Sequence, residues 1–496
     1  MKLKIRLVGT VKYRTESLLS FSYVYQKTSN IRRQHPSPSS SHVSNSSSPS
    51  MPPRIRTVEG SCWSCKARRV ICDLTLPVCT KCAKTNRRCD YGAVRLKWTD
   101  CVASRGRFAG QKVPLYQGPT LQKNSDHHML YFENELLPRF NLTNTVPAID
   151  LKLLESDPVL LQSVVAVAHA HAASRSVGYD GKVVSLQTIQ SRNRALRVFR
   201  EHLMGAHTEE VHGSLFIANV LLCILDGFIE PSVEDSATHH HLVGGKAILK
   251  QWTSMKSVFQ LKYELPVLML SIFVTMDLTH SVLMGDEPYF EASSWADFGD
   301  CEAWWGNVKP TDAFLETMSI ISQLTTLGHK VRHAKETVEI GTLLTIQMSL
   351  EQQAARQLEA KNPETAAWTA FCSVYRFAAS VYLYRALSGL DVGHPLVQGV
   401  VSGFIAVISG TDLTEKLHHC ILFPLLCVGS HCLLPEQRTL VRKSLGTTSS
   451  YLSFEGLRSL EAFLDKQWSR LDQNSGSWQV TWWEYFGDIA HASCLF

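Results

Sequence analysis

A small metal-stabilised two-helix module followed by a large all-α domain is the architecture this sequence predicts, and three observations predict it. Six cysteines, Cys62, Cys65, Cys72, Cys79, Cys82 and Cys89, fall in the spacing C-x2-C-x6-C-x6-C-x2-C-x6-C. Positive charge is confined to the same end of the chain. Residues 1–98 hold 19 Lys and Arg against four acidic residues, a formal +15, whereas the whole chain carries only +6, which leaves −9 for residues 99–496. Beyond residue 126, apolar residues recur at helical spacing and strand-like alternation is scarce.

The first element, residues 1–57, is expected to be disordered. Residues 36–53 are dominated by Ser and Pro, a composition that buries too little apolar surface to offset the entropy of ordering. Met1 to Arg33 is basic with one acid, Glu16, and loosely resembles an organellar transit peptide. The run Met51-Pro52-Pro53-Arg54 resembles a natural start just ahead of the cysteines, which makes residues 1–50 an upstream extension of the reading frame.

Residues 58–93 form the metal module. Two thiolates three residues apart grip one tetrahedral ion at ~2.3 Å, and a helical turn carries the chain to a third sulfur. The halves therefore supply Cys62, Cys65 and Cys72, and Cys79, Cys82 and Cys89. Three ligands are one short of a tetrahedral set, so six cysteines satisfy two zinc ions only when two are shared. The symmetric solution shares the first of each half, Cys62 and Cys79. A disulfide framework is disfavoured because such frameworks belong to small secreted domains. A RING or LIM module needs eight ligands and usually a histidine, and no histidine lies between His42 and His127.

Cys62 to Tyr91 resembles the fungal zinc binuclear cluster regulators. The likeness rests on Cys62, Cys65, Lys66, Arg68, Arg69, Cys72, Asp73, Pro77, Cys79, Cys82 and Cys89, followed by Tyr91 and Gly92. It implies a nuclear, sequence-specific regulator of RNA polymerase II genes, with two zinc ions as cofactor, double-stranded DNA as partner, and transcription machinery or co-regulators beyond it. Lys66, Arg68 and Arg69 lie on the helix that the family inserts into the major groove. Arg68 and Arg69 occupy the positions that meet a CGG-type triplet, where the planar guanidinium fork suits guanine. Lys81, Lys84, Arg87 and Arg88 of the second half are expected to hold phosphates. The family usually has a basic residue before the third cysteine, where this chain has Ile71. The Leu76–Pro77 bond is often cis in the family, although Pro77 serves equally as a simple turn former. A cationic stripe of this kind makes affinity fall with added salt. Six thiolates on two divalent ions remove about two of those charges locally.

Residues 94–125 read as a linker. Arg95, Lys97 and Trp98 continue the basic tail, and Gly106, Gly110, Pro114, Gly118 and Pro119 interrupt any helix. No heptad pattern is visible there, so binding as a monomer and homodimerisation through the C-terminal domain both stay open.

Residues 126–496 read as an all-helical regulatory domain. Asp157 and Pro158 suit an N-cap and first helical position, with Leu161, Val164, Val165, Ala168 and Ala172 following at helical spacing. Similar runs recur at 184–204, 211–229, 237–253, 264–284, 312–328, 336–361, 364–388, 414–433 and 454–472. The length leaves room for two helical lobes, yet no linker divides it. The runs 215–229 and 265–284 are apolar but contain Asn219 and Asp226, and Pro266, Asp277 and His280, so they read as buried helices rather than membrane spans. Three short stretches resemble the fungal-specific transcription factor domain: Asp157 to Ala173, His241 to Trp252, and Leu422 to Gly429 followed by Arg438.

No catalytic constellation competes with this reading. The chain has no G-x-S-x-G elbow, G-x-G-x-x-G loop, P-loop or H-E-x-x-H. His169 and His171 point to different helix faces, and the runs His239 to His241 and His418 to His419 read as surface or capping residues. Cys101, Cys223, Cys301, Cys372, Cys420, Cys427, Cys432 and Cys494 contain no C-x-x-C pair and read as buried apolar residues, although Cys427 and Cys432 sense oxidants if exposed. Trp295, Trp304 and Trp305, and Trp478, Trp482 and Trp483, read as packing anchors or as the lining of an effector pocket. The rival from another class is a zinc-folded protein-interaction adaptor with weak DNA binding, which the Ile71 departure keeps open.

Overall fold

The structure is a computed structural model and describes residues 61–75, 78–89, 91, 127–142, 156–176, 186–205, 209–231, 237–251, 265–359, 365–410, 413–473 and 480–492. The expectations about residues 1–57, Met51, Pro77, Arg95, Lys97, Trp98, Cys101, Trp478 and Cys494 lie outside these residues. The chain divides into two compact units, Met1–Val113 and Pro114–Phe496.

In the first unit, α1 (Trp63–Arg68) and α2 (Thr80–Ala83) are short because each is built around one cysteine pair. Cys62 and Cys79 are their N-caps, in matching extended conformations, and each sulfur accepts the amide of the next cysteine at 3.4 Å. The exits match as well: the amide of Val70 returns to the carbonyl of Cys65 at 3.2 Å, and that of Arg87 to Cys82 at 3.1 Å. Too few residues surround these helices to bury an apolar core, and the five buried cysteines take its place.

Helices are the regular structure of the second unit among its described residues, joined by loops, with an isolated bridge between Ala303 and Gly306. Its helices are α3 (Pro158–Ser176), α4 (Leu186–Gly205), α5 (Glu209–Ile224), α6 (Ala237–Gln251), α7 (Leu265–Met284), α8 (Ala313–His329), α9 (Ile340–Glu359) and α10 (Ala366–Tyr382). There follow α11 (Pro395–Ser409), α12 (Leu422–Gly429), α13 (Pro435–Leu452), α14 (Leu457–Gln473) and α15 (Trp482–Ala492). Asp157 caps α3 as the sequence suggests, its carboxylate accepting the amides of Val159 and Leu160 at 2.9 and 3.2 Å. One contiguous core runs from Met129 to Ala490, so the unit is not two lobes.

Every residue of α7 from Val267 to Leu283 is buried, because helices pack on all its sides. By length and composition it could cross a membrane, but 94% of its apolar window lies inside this core. The expected run 414–433 is instead a single turn, Glu415–His418, followed by α12, since Ile421 departs from helical geometry between them. Helices α11, α13 and α15 were not among the expected runs. Polar α13 buries only part of itself, including Val441, Leu445 and Leu452, so its stripe is thin in the sequence.

The tryptophans act as anchors. Trp295, Trp304 and Trp305 are each at most 2% exposed, and Trp304 donates its indole N–H to the Thr275 hydroxyl of α7 at 2.9 Å. Trp482 donates to the Val282 carbonyl at 2.9 Å. Cys427 and Cys432 are buried, and burial pushes both thiols up, which opposes the thiolate that an oxidant sensor needs.

Polar contacts and one close approach fix the stretch His241 to Leu249. Asn219, Asp226 and Asp277 meet it: the Asn219 amide donates to the His241 carbonyl at 2.9 Å, His241 Nε2 lies 3.0 Å from Asp226, and Lys246 Nζ lies 2.6 Å from Asp277. Gly245 sits where a Cβ would fall 2.4 Å from the Phe273 ring, so α6 can approach α7 only without a side chain there. Arg438 forms a two-pronged pair with Asp472 at 2.8 Å on both nitrogens and reaches the Cys432 carbonyl at 3.0 Å, tying α13 to α14 and to the end of α12.

Candidate metal centre and nucleic-acid interface

The six cysteine sulfurs form two groups of four. Cys62, Cys65, Cys72 and Cys79 converge in one group and Cys62, Cys79, Cys82 and Cys89 in the other, every sulfur within 4.8 Å of the rest of its group. Cys62 and Cys79 are common to both. Neighbouring sulfurs stand 3.8 Å apart for Cys62–Cys79, 3.6 Å for Cys62–Cys82 and 3.6 Å for Cys65–Cys79. A tetrahedron with ~2.3 Å zinc–sulfur bonds has an edge of ~3.8 Å, so the donor set fits two zinc ions bridged by two thiolates.

The electrostatics follow from the caps. Burial opposes ionisation of Cys79, but the Cys82 amide and the facing cysteines outweigh it and bring the thiol down to about 6. The cap alone does not set this, because burial pushes the thiol of the matching cap, Cys62, up. Asp73, just after the third cysteine, holds the second half in place. Its carboxylate accepts the Thr80 amide at 3.1 Å, the Thr80 hydroxyl and the Thr75 hydroxyl, and these bonds hold it at about 2. Tyr91 closes the far side, its hydroxyl 3.4 Å from the Cys72 sulfur and donating to the Thr75 carbonyl at 3.1 Å.

The basic residues divide into two kinds. Arg69, Lys81, Lys84, Arg87 and Arg88 are exposed. Arg69 ends α1 in the left-handed conformation, φ +59°, which turns the chain sharply out of the helix. Arg68 is half-buried and faces the sulfurs: its guanidinium donates to Cys65 and Cys82 sulfur at 3.8 and 3.6 Å, to the Ser64 carbonyl at 3.2 Å and to the Thr85 hydroxyl at 3.3 Å. It thereby offsets the negative charge of the thiolates and joins the two halves. Lys66 is half-buried too, its ammonium 4.9 Å from the Trp63 ring centroid.

Sequence reasoning did not find the parts played by Ser64, Trp63 and Thr80. Ser64 donates to the Arg88 carbonyl at 2.5 Å and so pins the second half's basic run against α1. Nothing in residue type or spacing marks that contact, which depends on how the halves face each other. Ile71 is 57% exposed, and Leu74 and Val78 are exposed beside it in the chain between the halves.

The comparisons agree with this geometry. The Fungal Zn(2)-Cys(6) binuclear cluster domain matches residues 60–98, and the Fungal specific transcription factor domain matches residues 128–496. The chain is also similar to "Arginine metabolism regulation protein II" of Saccharomyces cerevisiae, with 37% identity over 57 residues, 12% of this chain and 6% of that protein. The chain thus spans only a small share of the length of that curated relative. No solved structure matches.

Proposed function

The chain belongs to the fungal specific transcription factor family, and from that premise we propose that it is a sequence-specific DNA-binding regulator of RNA polymerase II genes that reads CGG-type triplets in the nucleus. The observation that carries the reading is the pair of four-sulfur groups sharing Cys62 and Cys79, which hold two short helices rigidly with exposed cations around them. Cys62, Cys65, Cys72, Cys79, Cys82 and Cys89 hold the zinc ions. Arg69, at the end of α1, meets the guanine edge, with Lys66 and Arg68 beside it on the same helix. Lys81, Lys84, Arg87 and Arg88 neutralise phosphates. The match to a regulation protein supports a regulatory role but covers too little of either chain to carry its pathway over.

Titration of the full chain onto a CGG-containing duplex and a scrambled duplex at several salt concentrations tests this. Each phosphate neutralised contributes about −0.9 to the slope of log K against log salt, so four to six contacts give about −4 to −5. The CGG duplex should bind at least tenfold tighter. Equal, salt-insensitive binding of both duplexes excludes the reading.

One observation favours a second reading. Ile71, Leu74 and Val78 present apolar side chains to solvent on a module whose buried side chains, among the described residues, are chiefly cysteines. A zinc-folded adaptor would use them to meet a protein, and would show two bound zinc ions with weak DNA binding in the same titration.

A further inference from the structure

Three residues from separate parts of the large unit converge, one from a histidine run expected at the surface or a cap and one from a run expected to be a buried helix. His239 is the third residue of α6, His280 lies one turn before the end of α7, and Asp286 lies two residues beyond α7. One imidazole nitrogen from each histidine and a carboxylate oxygen of Asp286 lie within 4.8 Å of one another. The two rings are 5.6 Å apart between centroids.

The backbone that makes this convergence is specific. The amides of Gly285 and Asp286 both return to the Ser281 carbonyl, at 2.7 and 3.2 Å, which reverses the chain at the end of α7 and brings Asp286 back beside His280. Gly285 has φ +70°, and a Cβ there would fall 2.4 Å from the Trp483 indole, so only glycine makes the turn. From the turn after α8, His333 approaches the other side, its Nε2 3.6 Å from Asp286, and its ring lies 4.7 Å from that of His329.

We propose that His239, His280 and Asp286 form a divalent transition-metal site in the regulatory domain, distinct from the cysteine cluster, with His333 orienting Asp286. Two imidazoles and one carboxylate suit zinc and its first-row neighbours, whereas magnesium and calcium prefer all-oxygen sets. His280 is buried and His239 half-buried. Asp286 and His333 remain partly exposed, 38% and 47% at the side chain, and leave an entry path. A bound ion would tie the start of α6, the end of α7 and the turn after α8 together, so occupancy would couple metal supply to the rigidity of this domain.

Cobalt(II) titration of the metal-free full chain, followed by visible absorption, tests the proposal together with zinc counting by native mass spectrometry. Cobalt on thiolates gives intense sulfur-to-metal charge-transfer bands, whereas a nitrogen and oxygen site gives only weak ligand-field bands. The expected result is three ions per chain, the third without a thiolate band. The double variant His239→Ala/Asp286→Asn should stop at two with its thiolate bands unchanged, and Asp286→Asn alone should weaken the third ion at least tenfold while the helical circular dichroism is preserved. His333→Ala should weaken it by about 10- to 100-fold. Cys62→Ser/Cys79→Ser should lose the bridged two-ion cluster and weaken its thiolate bands while keeping the histidine-bound ion, so a failure of the cluster is told apart from a failure of this site. A wild-type chain that saturates at two ions, or a third ion that survives in both Asp286 variants, overturns the proposal.

Discussion

At the scale of single residues, two neighbours in sequence have different surroundings. Arg68 turns inward onto the Cys65 and Cys82 sulfurs, while Arg69 leaves the helix exposed. Arg69→Ala should therefore reduce discrimination between a CGG duplex and a scrambled one by about 1–3 kcal/mol with both zinc ions retained, as read by competitive binding and metal counting. Unchanged preference would show that another side chain reads the base. Their residue types were legible in the sequence and their directions were not, because direction depends on which sulfur or hydroxyl lies across the module. The same holds for Asp73, whose cap on Thr80 joins residues seven apart.

Among elements, close approach is set by what is missing. Gly244 and Gly245 are adjacent on α6, yet a Cβ on Gly245 would sit 2.4 Å from Phe273 and 2.8 Å from Asn219, whereas one on Gly244 would meet only Asn219 at an ordinary 3.5 Å. Gly245→Ala should destabilise the domain by about 1–3 kcal/mol through overpacking in chemical denaturation. Gly244→Ala should be neutral or slightly stabilising because alanine favours the helix. Similar losses from both would mean that α6 does not contact α7 in this way. The helices themselves were largely legible, since apolar periodicity and the Asp157 cap are local signals. Helix α7 was legible as apolar and buried. Its cover on every side comes from α5, α6, α8 and α15 packing around it.

For the whole molecule, buried histidines set the acid limit of the regulatory domain. Burial holds His171 and His419 at about 4 and His431 at about 3, and each is at most 3% exposed. Between pH 4 and the ordinary histidine value near 6.5, the unfolded chain binds these protons and the folded chain does not. Stability should thus rise with pH across that window, by up to about 1.4 kcal/mol per pH unit for each histidine, and level off above it. Denaturant midpoints measured from pH 4 to 8 check the sign. A flat profile below pH 6.5 would show that these rings are protonated in the folded state. No residue pattern announces these three, since His431 is buried by α15, which lies far along the chain, stacking on Trp482 and Tyr485.

The sequence by itself determined the metal module, its six ligands and the helical character of the large domain, because those properties depend on contacts between residues close along the chain. A cysteine pair three residues apart caps a turn and presents two sulfurs wherever it occurs. Only the tertiary structure decided that residues 114–496 make one unit, that Arg68 serves the sulfurs, and that His239, His280 and Asp286 share one place. Those outcomes depend on how separate elements face each other, from 14 residues apart for Arg68 and Cys82 to 41 for His239 and His280, and that is governed by the shapes of the packed faces rather than by any local spacing.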